Sequence, residues 1–202
     1  MNNLPQQFYR RKNVLLIAKE LLGKILATRS DGILTSGRIV EVEAYRGIRD
    51  KASHAYGGRR TARNEVMYGE GGAVYVYLCY GIHHLFNVVT YEKNIPHAIL
   101  IRALEPLQGV GEMLKRTGKK KLDHSLTRGP GNLSKALGIH YSMSGSLLGG
   151  KTLNILEDGY IVPKNSIGVS ERIGVDYAGE DALLKYRFFI KGNPFVSGKK
   201  VK

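Results

Sequence analysis

The sequence predicts an α+β fold: one domain built on a curved antiparallel sheet, with helices at its periphery and one protruding β-hairpin. Three observations carry this expectation. A chain of 202 residues suffices for one substantial core, and two very small domains are the less economical reading, so the domain is expected to span 1–202. Short runs rich in Val, Ile, Leu and Tyr recur along the chain, separated by turn signals rather than by long helical crossovers. Helical periodicity is confined to short segments.

Taken in order, residues 13–23 read as a core helix: Asn13 can cap it, Val14, Ile17, Ala18 and Leu21 recur on one face, and Gly23 can end it. Residues 24–29 look extended, Asp31-Gly32 is a hairpin signal, and the chain returns antiparallel through 33–45. Residues 48–63 are polar and read as a surface loop or short helical turns. A turn at 69–72 leads into a strand at 73–81, with return strands at 85–90 and 97–105. A helix is expected over 106–116 and a mobile lysine-rich loop over 117–128. A short helix over 133–137 follows the Gly129-Pro130-Gly131-Asn132 entry. Strands are expected at 153–157, 161–162, 167–175 and 187–191, with a last helix at 178–185. Neither an internal repeat nor a Walker or dinucleotide fingerprint is found.

Composition narrows the function classes. Hydrophobic residues make up 43% and charged residues 24%, values that favour folding over disorder. No run approaches a membrane span. The N-terminal residues lack the apolar core of a signal peptide, so a cytoplasmic protein is expected, nucleoid-associated if bacterial. One cysteine, Cys79, excludes an internal disulfide and a cysteine-based zinc site; lying in an apolar strand, it is expected in the core. The histidines are scattered, so neither a metal nor another cofactor is expected. The formal charge of +14 and pI near 9.9 point to a polyanionic partner, with a solubilising surface as the alternative. Lys119-Lys120-Lys121 and the basic cluster at 199–202 contribute to that charge, but Arg38, Arg46, Arg59, Arg60, Arg63 and Arg102 keep the excess spread out.

Candidate chemistry lies in the strand at 38–45. Strict alternation sends Ile39, Glu41, Glu43 and Tyr45 to one face. That face is either a solvated edge or the wall of a polar pocket. Arg59, Arg60 and Arg63 beside Gly57-Gly58 and Thr61 suit phosphate contacts or a solvated loop alike. Tyr75 and Tyr77 share a face, and Tyr80 points away from it unless the chain bends at Tyr80-Gly81. Asn87 and Arg102 interrupt apolar strands and need buried partners. A glutamate near tyrosines, a histidine and an arginine is a candidate general base.

These segments also carry a resemblance. The Arg38–Tyr45 strand, His54, Gly57-Gly58-Arg59-x-Thr61-x-Arg63-Asn64, Val74-Tyr75-Val76-Tyr77-x-x-Tyr80-Gly81, Asn87, Leu100–Pro106, Gly129-Pro130-Gly131 and the segment 192–197 occur in an order that resembles the alkyladenine (3-methyladenine) DNA glycosylases. The resemblance implies a base-excision repair enzyme that flips a damaged purine out of double-stranded DNA and hydrolyses its N-glycosidic bond. It implies Glu43 as the residue that activates water, held with Arg102 and the backbone near Ile173. Tyr45, His54, Tyr77 and Asn87 are then the base pocket, Tyr80 the wedge entering the duplex, and Arg59, Thr61 and Arg63 the backbone contacts. A monomer without cofactor or strand-cleaving activity is implied, since no lysine matches a Schiff-base nucleophile. Asn132 stands where the family commonly has lysine, and Phe195 where tryptophan is frequent. The lesion preferred among 3-methyladenine, 7-methylguanine, hypoxanthine and ethenoadenine is not implied. A catalytically silent nucleic-acid-binding domain and an RNA-directed module are the competing readings.

Overall fold

The chain is organised around β3 (Ile33–Tyr45), a 13-residue strand flanked on both edges. A computed structural model describes residues 1–198; the basic cluster at 199–202 lies outside them. On one edge β2 (Ile25–Ser30) pairs with β3 as far as Arg38, and β9 (Arg187–Ile190) takes over opposite Glu41, Val42 and Glu43. On the other edge β6 (His97–Gln108) follows β3 almost throughout. β1 (Asn2–Asn3) and β7 (Leu153–Glu157) extend the sheet beyond β2, β5 (His83–Thr90) and β4 (Val74–Cys79) extend it beyond β6, and β8 (Ile167–Ser170) joins through β9. The pairing is antiparallel throughout. The expected α+β architecture and the protruding β4–β5 hairpin are both present.

Among the described residues four short α-helices pack against this sheet: α1 (Gln6–Tyr9), α2 (Val14–Leu21), α3 (Val110–Thr117) and α4 (Pro130–Leu137). Asn13 Oδ1 accepts from Leu16 N at 3.1 Å and caps α2, as its side chain predicts. Val14, Ile17, Ala18 and Leu21 of α2, Met113 of α3 and Leu133, Ala136 and Leu137 of α4 form one core with Ile39, Val42, Ala44, Ile101 and Leu104. Each large aliphatic side chain buried there contributes about 1.5–3 kcal/mol. The helices thus cover one face of β3 and leave its other face to a second, polar layer.

A pair of β-bulges decides which residues reach that layer. Val40 is the extra residue on β3 between the Ile39–Leu104 and Glu41–Ala103 pairs, and Arg102 is the extra residue on β6 before the Val42–Ile101 pair. A bulge interrupts side-chain alternation. Ile39 therefore joins the helix-covered core, while Val40 packs on the opposite side with Ala103 and Phe195. The expectation that Ile39 shares the face of Glu41, Glu43 and Tyr45 is thus overturned. Glu41 and Glu43 are both fully buried, which also excludes the solvated-edge alternative.

Several boundaries differ from expectation. Residues 106–108 continue β6 instead of opening a helix; Pro106 stands beside a register shift opposite Gly37, where its missing N–H is tolerated. The segment 117–128 is tied down: Lys119 pairs with Asp123 at 3.2 Å, Leu126 is buried, and Thr127 Oγ1 donates to the Leu104 carbonyl at 2.5 Å. Residues 161–162 form no strand, β8 ends at Ser170, and the last helical segment is a 3-10 stretch (Asp176–Leu183) broken at Gly179. Cys79 is half-buried near the hairpin tip rather than in the core, because the strand has left the packed layer there.

The loop after β3 is stitched to the sheet by a buried ion pair. Arg172 donates to Asp50 at 2.6 and 2.8 Å, and Asp50 also accepts from the Arg46 and Ala52 amides. Removing one partner strands the other charge in a dry site. Asp50→Ala is therefore expected to cost about 3–5 kcal/mol of stability, read as a lower urea midpoint at unchanged m-value; a wild-type midpoint would remove the pair from this role.

Candidate active site

The second layer is assembled on the bulged face of β3 and β6. Glu43 sits at its floor with both carboxylate oxygens engaged. Ile173 N donates to Oε1 at 2.8 Å, the Tyr45 hydroxyl donates to Oε2 at 2.9 Å, and Arg102 Nη1 lies 3.3 Å from Oε2. Three groups distant in sequence thus converge on one buried carboxylate. Tyr45 reaches it because both residues lie on the same face of β3, while Ile173 is delivered by the turn that Arg172 anchors to Asp50.

The same phenol opens onto an aromatic pocket. Tyr45, His54, Tyr75, Tyr77 and Asn87 line it, with Ala52, Met67 and Tyr177. Tyr75 and Tyr77 lie on one face of β4, as alternation predicts, with ring centroids 5.5 Å apart. His54 Nδ1 shares a 2.8 Å hydrogen bond with the Tyr75 hydroxyl, and its ring meets Tyr77 edge-on at 4.6 Å. Asn87 projects from β5 and donates to the Tyr75 and Leu85 carbonyls at 3.2 and 3.1 Å, which satisfies its buried amide.

The electrostatics of this pocket follow from its burial. Desolvation, reinforced by Arg63 and Arg59, lowers the His54 pKa from 6.5 to about 4, so the ring is neutral at physiological pH. Burial likewise raises the phenols, Tyr75 to about 12 and Tyr77 and Tyr45 well above their ordinary value, with Glu43 adding to the shift of Tyr45. All three remain protonated. The pocket therefore presents neutral aromatic surface, and through Tyr45 it adjoins Glu43, which Arg102 approaches to 3.3 Å.

The rim is basic. Arg59 and Arg63 line an outer cavity of about 510 Å³ together with Lys51, Tyr56, Tyr80 and Tyr177. Arg63 donates to the Leu78 carbonyl at 3.1 Å and lies 5.4 Å from the Tyr77 ring, while Arg60 turns away to Glu65 at 2.5 Å. Thr61 does not present a free hydroxyl: its Oγ1 and N both donate to Asn64 Oδ1. Tyr80 stands at the hairpin tip, 91% exposed. Its φ of 51° and that of Gly81, 72°, are left-handed and supply the bend that separates it from Tyr77. Asn132, in the first turn of α4, donates to the Arg128 carbonyl at 3.0 Å.

Glu43, Arg102, Ile173, Tyr45, His54, Tyr77 and Asn87 are thus brought together, with Tyr80, Arg59 and Arg63 on the rim. Sequence reasoning missed Tyr177, Arg172, Arg187 and Ser197 as parts of the site. Tyr75 was signalled by its shared face with Tyr77; Arg172, Arg187 and Ser197 lie in segments that were read as strands or as part of the resemblance, but only long-range contacts bring them to the site. Among the described residues no cluster of three or more His, Cys, Asp or Glu could hold a metal ion. No helix among them is long and apolar enough to cross a membrane.

The buried neutral histidine has a thermodynamic consequence. Its folded pKa lies below the ordinary 6.5, so its contribution to stability is complete above about pH 6.5 and is lost as pH falls toward about 4. His54→Gln is expected to flatten the fall in unfolding free energy across that window relative to wild type. Parallel denaturation series at several pH values read this difference, and equal slopes would contradict it.

Comparison with known proteins identifies the family. The family model described as methylpurine-DNA glycosylase (MPG) matches residues 7–194. A protein of Desulfitobacterium hafniense is 45% identical, covering 98% of this chain and 100% of the relative. Relatives from Bacillus cereus strain G9842 (47% identical; 96% of this chain, 98% of the relative) and Clostridium acetobutylicum (46%; 96% and 97%) are similar over nearly their whole length. All three are provisionally named 3-methyladenine DNA glycosylase. With a family match across nearly the whole described chain and relatives of this identity at full length, the protein belongs to the methylpurine-DNA glycosylase family.

Proposed function

We propose that this protein is a monofunctional DNA glycosylase of base-excision repair. It flips alkylated or deaminated purines from duplex DNA and hydrolyses the N-glycosidic bond with water activated by Glu43. The observation that carries this reading is the Glu43 carboxylate, buried and triply held beneath an aromatic pocket. Action as a monomer is part of this reading.

The attacking water is placed against Glu43 and Arg102, beside the backbone of Ile173. Glu43 accepts a proton from the water as its oxygen bonds to the sugar C1′. The C1′–N bond breaks and its electron pair leaves with the purine, giving an abasic sugar; a neutral purine such as hypoxanthine departs as its anion and is protonated by solvent or by the proton that Glu43 took from water. Positive charge develops on the sugar during this step, and a buried carboxylate stabilises it electrostatically. A cationic alkylated purine leaves as a neutral base, so departure needs little further help.

Binding follows from the same chemistry. A cationic base is attracted to the faces of Tyr45 and Tyr77, and a neutral His54 adds no repulsion. Asn87, fixed by its carbonyl contacts, is assigned to crowd the guanine amino group. Extruding a base costs a few kcal/mol. Tyr80, filling the vacated space, and Arg59 and Arg63, contacting phosphates, are assigned to offset that cost. Thr61, whose hydroxyl is committed to Asn64, is left as a backbone contact only through slight rearrangement. Lys51 is the lysine lining the outer cavity, and its ammonium pairs with Glu180 at 2.6 Å; hydrolysis without strand cleavage is part of this reading.

Glu43→Gln should slow base release by about 10²–10⁴-fold while binding to a duplex with an abasic analogue persists; unchanged release would take Glu43 out of the reaction. Tyr80→Ala should weaken binding to a well-paired lesion by about 1–3 kcal/mol and slow its excision, measured by gel shift and single-turnover release. Wild-type values for both would dismiss the wedge.

A further inference from the structure

Behind Glu43 lies a second buried carboxylate to which the excision chemistry assigns no task. Glu41 accepts from Arg102 Nε at 3.1 Å, Arg187 Nε at 2.7 Å, Ser197 N at 2.6 Å and Ser197 Oγ at 2.9 Å. Arg102 is thereby divided among three partners: Nε faces Glu41, Nη1 lies 3.3 Å from Glu43, and Nη2 donates to Ser197 Oγ at 3.3 Å. Arg187 is the register partner of Glu43 on β9, yet its guanidinium serves Glu41, Ser170 Oγ at 2.8 Å and the Ser197 carbonyl at 2.5 Å. Glu41, Glu43, Arg102 and Arg187 thus form a buried cluster whose formal charges cancel.

We infer that Glu41 is a positioning residue for excision, holding both guanidiniums off Glu43 so that one arm of Arg102 alone touches it and lone pairs remain for water. This rests on the reading of Glu43 as the base. A guanidinium fork binds a free carboxylate bidentately. Without the charge of Glu41, Arg102 and Arg187 have Glu43 as the carboxylate between them, and a carboxylate saturated by two forks cannot orient a water. Ser197 completes the clamp because its segment is fastened across the bulged strands. Asn193 Nδ2 donates to Glu105 at 2.9 Å, and Phe195 packs on Val40 and Ala103, the two side chains that the bulges turn to this face.

The test is single-turnover excision from a duplex carrying one hypoxanthine, with binding to the same duplex carrying a tetrahydrofuran abasic analogue measured alongside. Glu41→Gln should excise about 10²-fold more slowly with unchanged abasic-site affinity. Ser197→Ala, a milder change that keeps the backbone donor, should slow excision by about tenfold. Glu41→Gln with Arg187→Gln removes the surplus cation and should recover rate relative to Glu41→Gln alone, which a merely structural role for Glu41 does not allow. Wild-type rates for Glu41→Gln and Ser197→Ala, or a double variant slower than Glu41→Gln, would overturn the inference. If Glu41→Gln does not fold, Ser197→Ala decides: slower excision at unchanged affinity supports the clamp, and a wild-type rate overturns it. Glu43→Gln, measured in parallel, separates the two readings. Full activity in Glu43→Gln defeats the base assignment itself, whereas an inactive Glu43→Gln beside fully active Glu41→Gln and Ser197→Ala defeats the clamp alone.

Discussion

The constraint on which the rest of the structure depends is the cost of burying Glu43 as a charge. A carboxylate removed from water is tolerated where donors replace its hydration. Here Tyr45, Ile173 N and Arg102 supply them. Each donor imposes a demand of its own: Arg102 needs Glu41, Glu41 needs Arg187 and Ser197, and Ile173 needs the turn that Arg172 fastens to Asp50. The polar layer is therefore closed upon itself, and its members come from β3, β6, β9, the loop after β8 and the C-terminal segment.

That layer exists because two bulges face each other. Uninterrupted alternation through β3 places Ile39 among the carboxylates and leaves Val40 to the helix-covered core. Inserting Val40 on one strand and Arg102 on its neighbour reverses both choices locally and leaves Val42 and Ala44 in the core. The bulges aim two carboxylates and an arginine at one face without breaking the hydrophobic layer beneath.

Charge is distributed by depth in a way that suits cationic bases and anionic DNA alike. The aromatic pocket is neutral, since burial keeps the phenols protonated and His54 uncharged, and the Glu43 carboxylate is joined to it through the Tyr45 hydroxyl. Positive charge is held at the rim, on Arg59 and Arg63, and in the excess spread over the chain. In the proposed function, a phosphate backbone and a damaged base meet different parts of one surface.

How much of this was legible in the chain depended on the range of the interaction. Asn13 capping α2, the Asp31-Gly32 turn and the shared face of Tyr75 and Tyr77 are local, and composition sufficed to place them. The order of motifs was enough to nominate Glu43, Arg102, Tyr45, His54, Tyr77, Asn87 and Tyr80. Boundaries failed where tertiary pairing overrode local preference, as at Pro106, or where a loop was tied down by distant atoms, as at Thr127. The bulge at Val40 has no sequence signature, because it is defined by its partner strand. Nor could any local pattern rank Glu41 against Glu43, since Arg187 and Ser197 lie 146 and 156 residues from Glu41. The sequence by itself determined which chemical groups are available and most of the elements that carry them. The tertiary structure alone decided which carboxylate faces the pocket and which is enclosed behind it, because that choice is made by contacts between strands and segments distant in the chain.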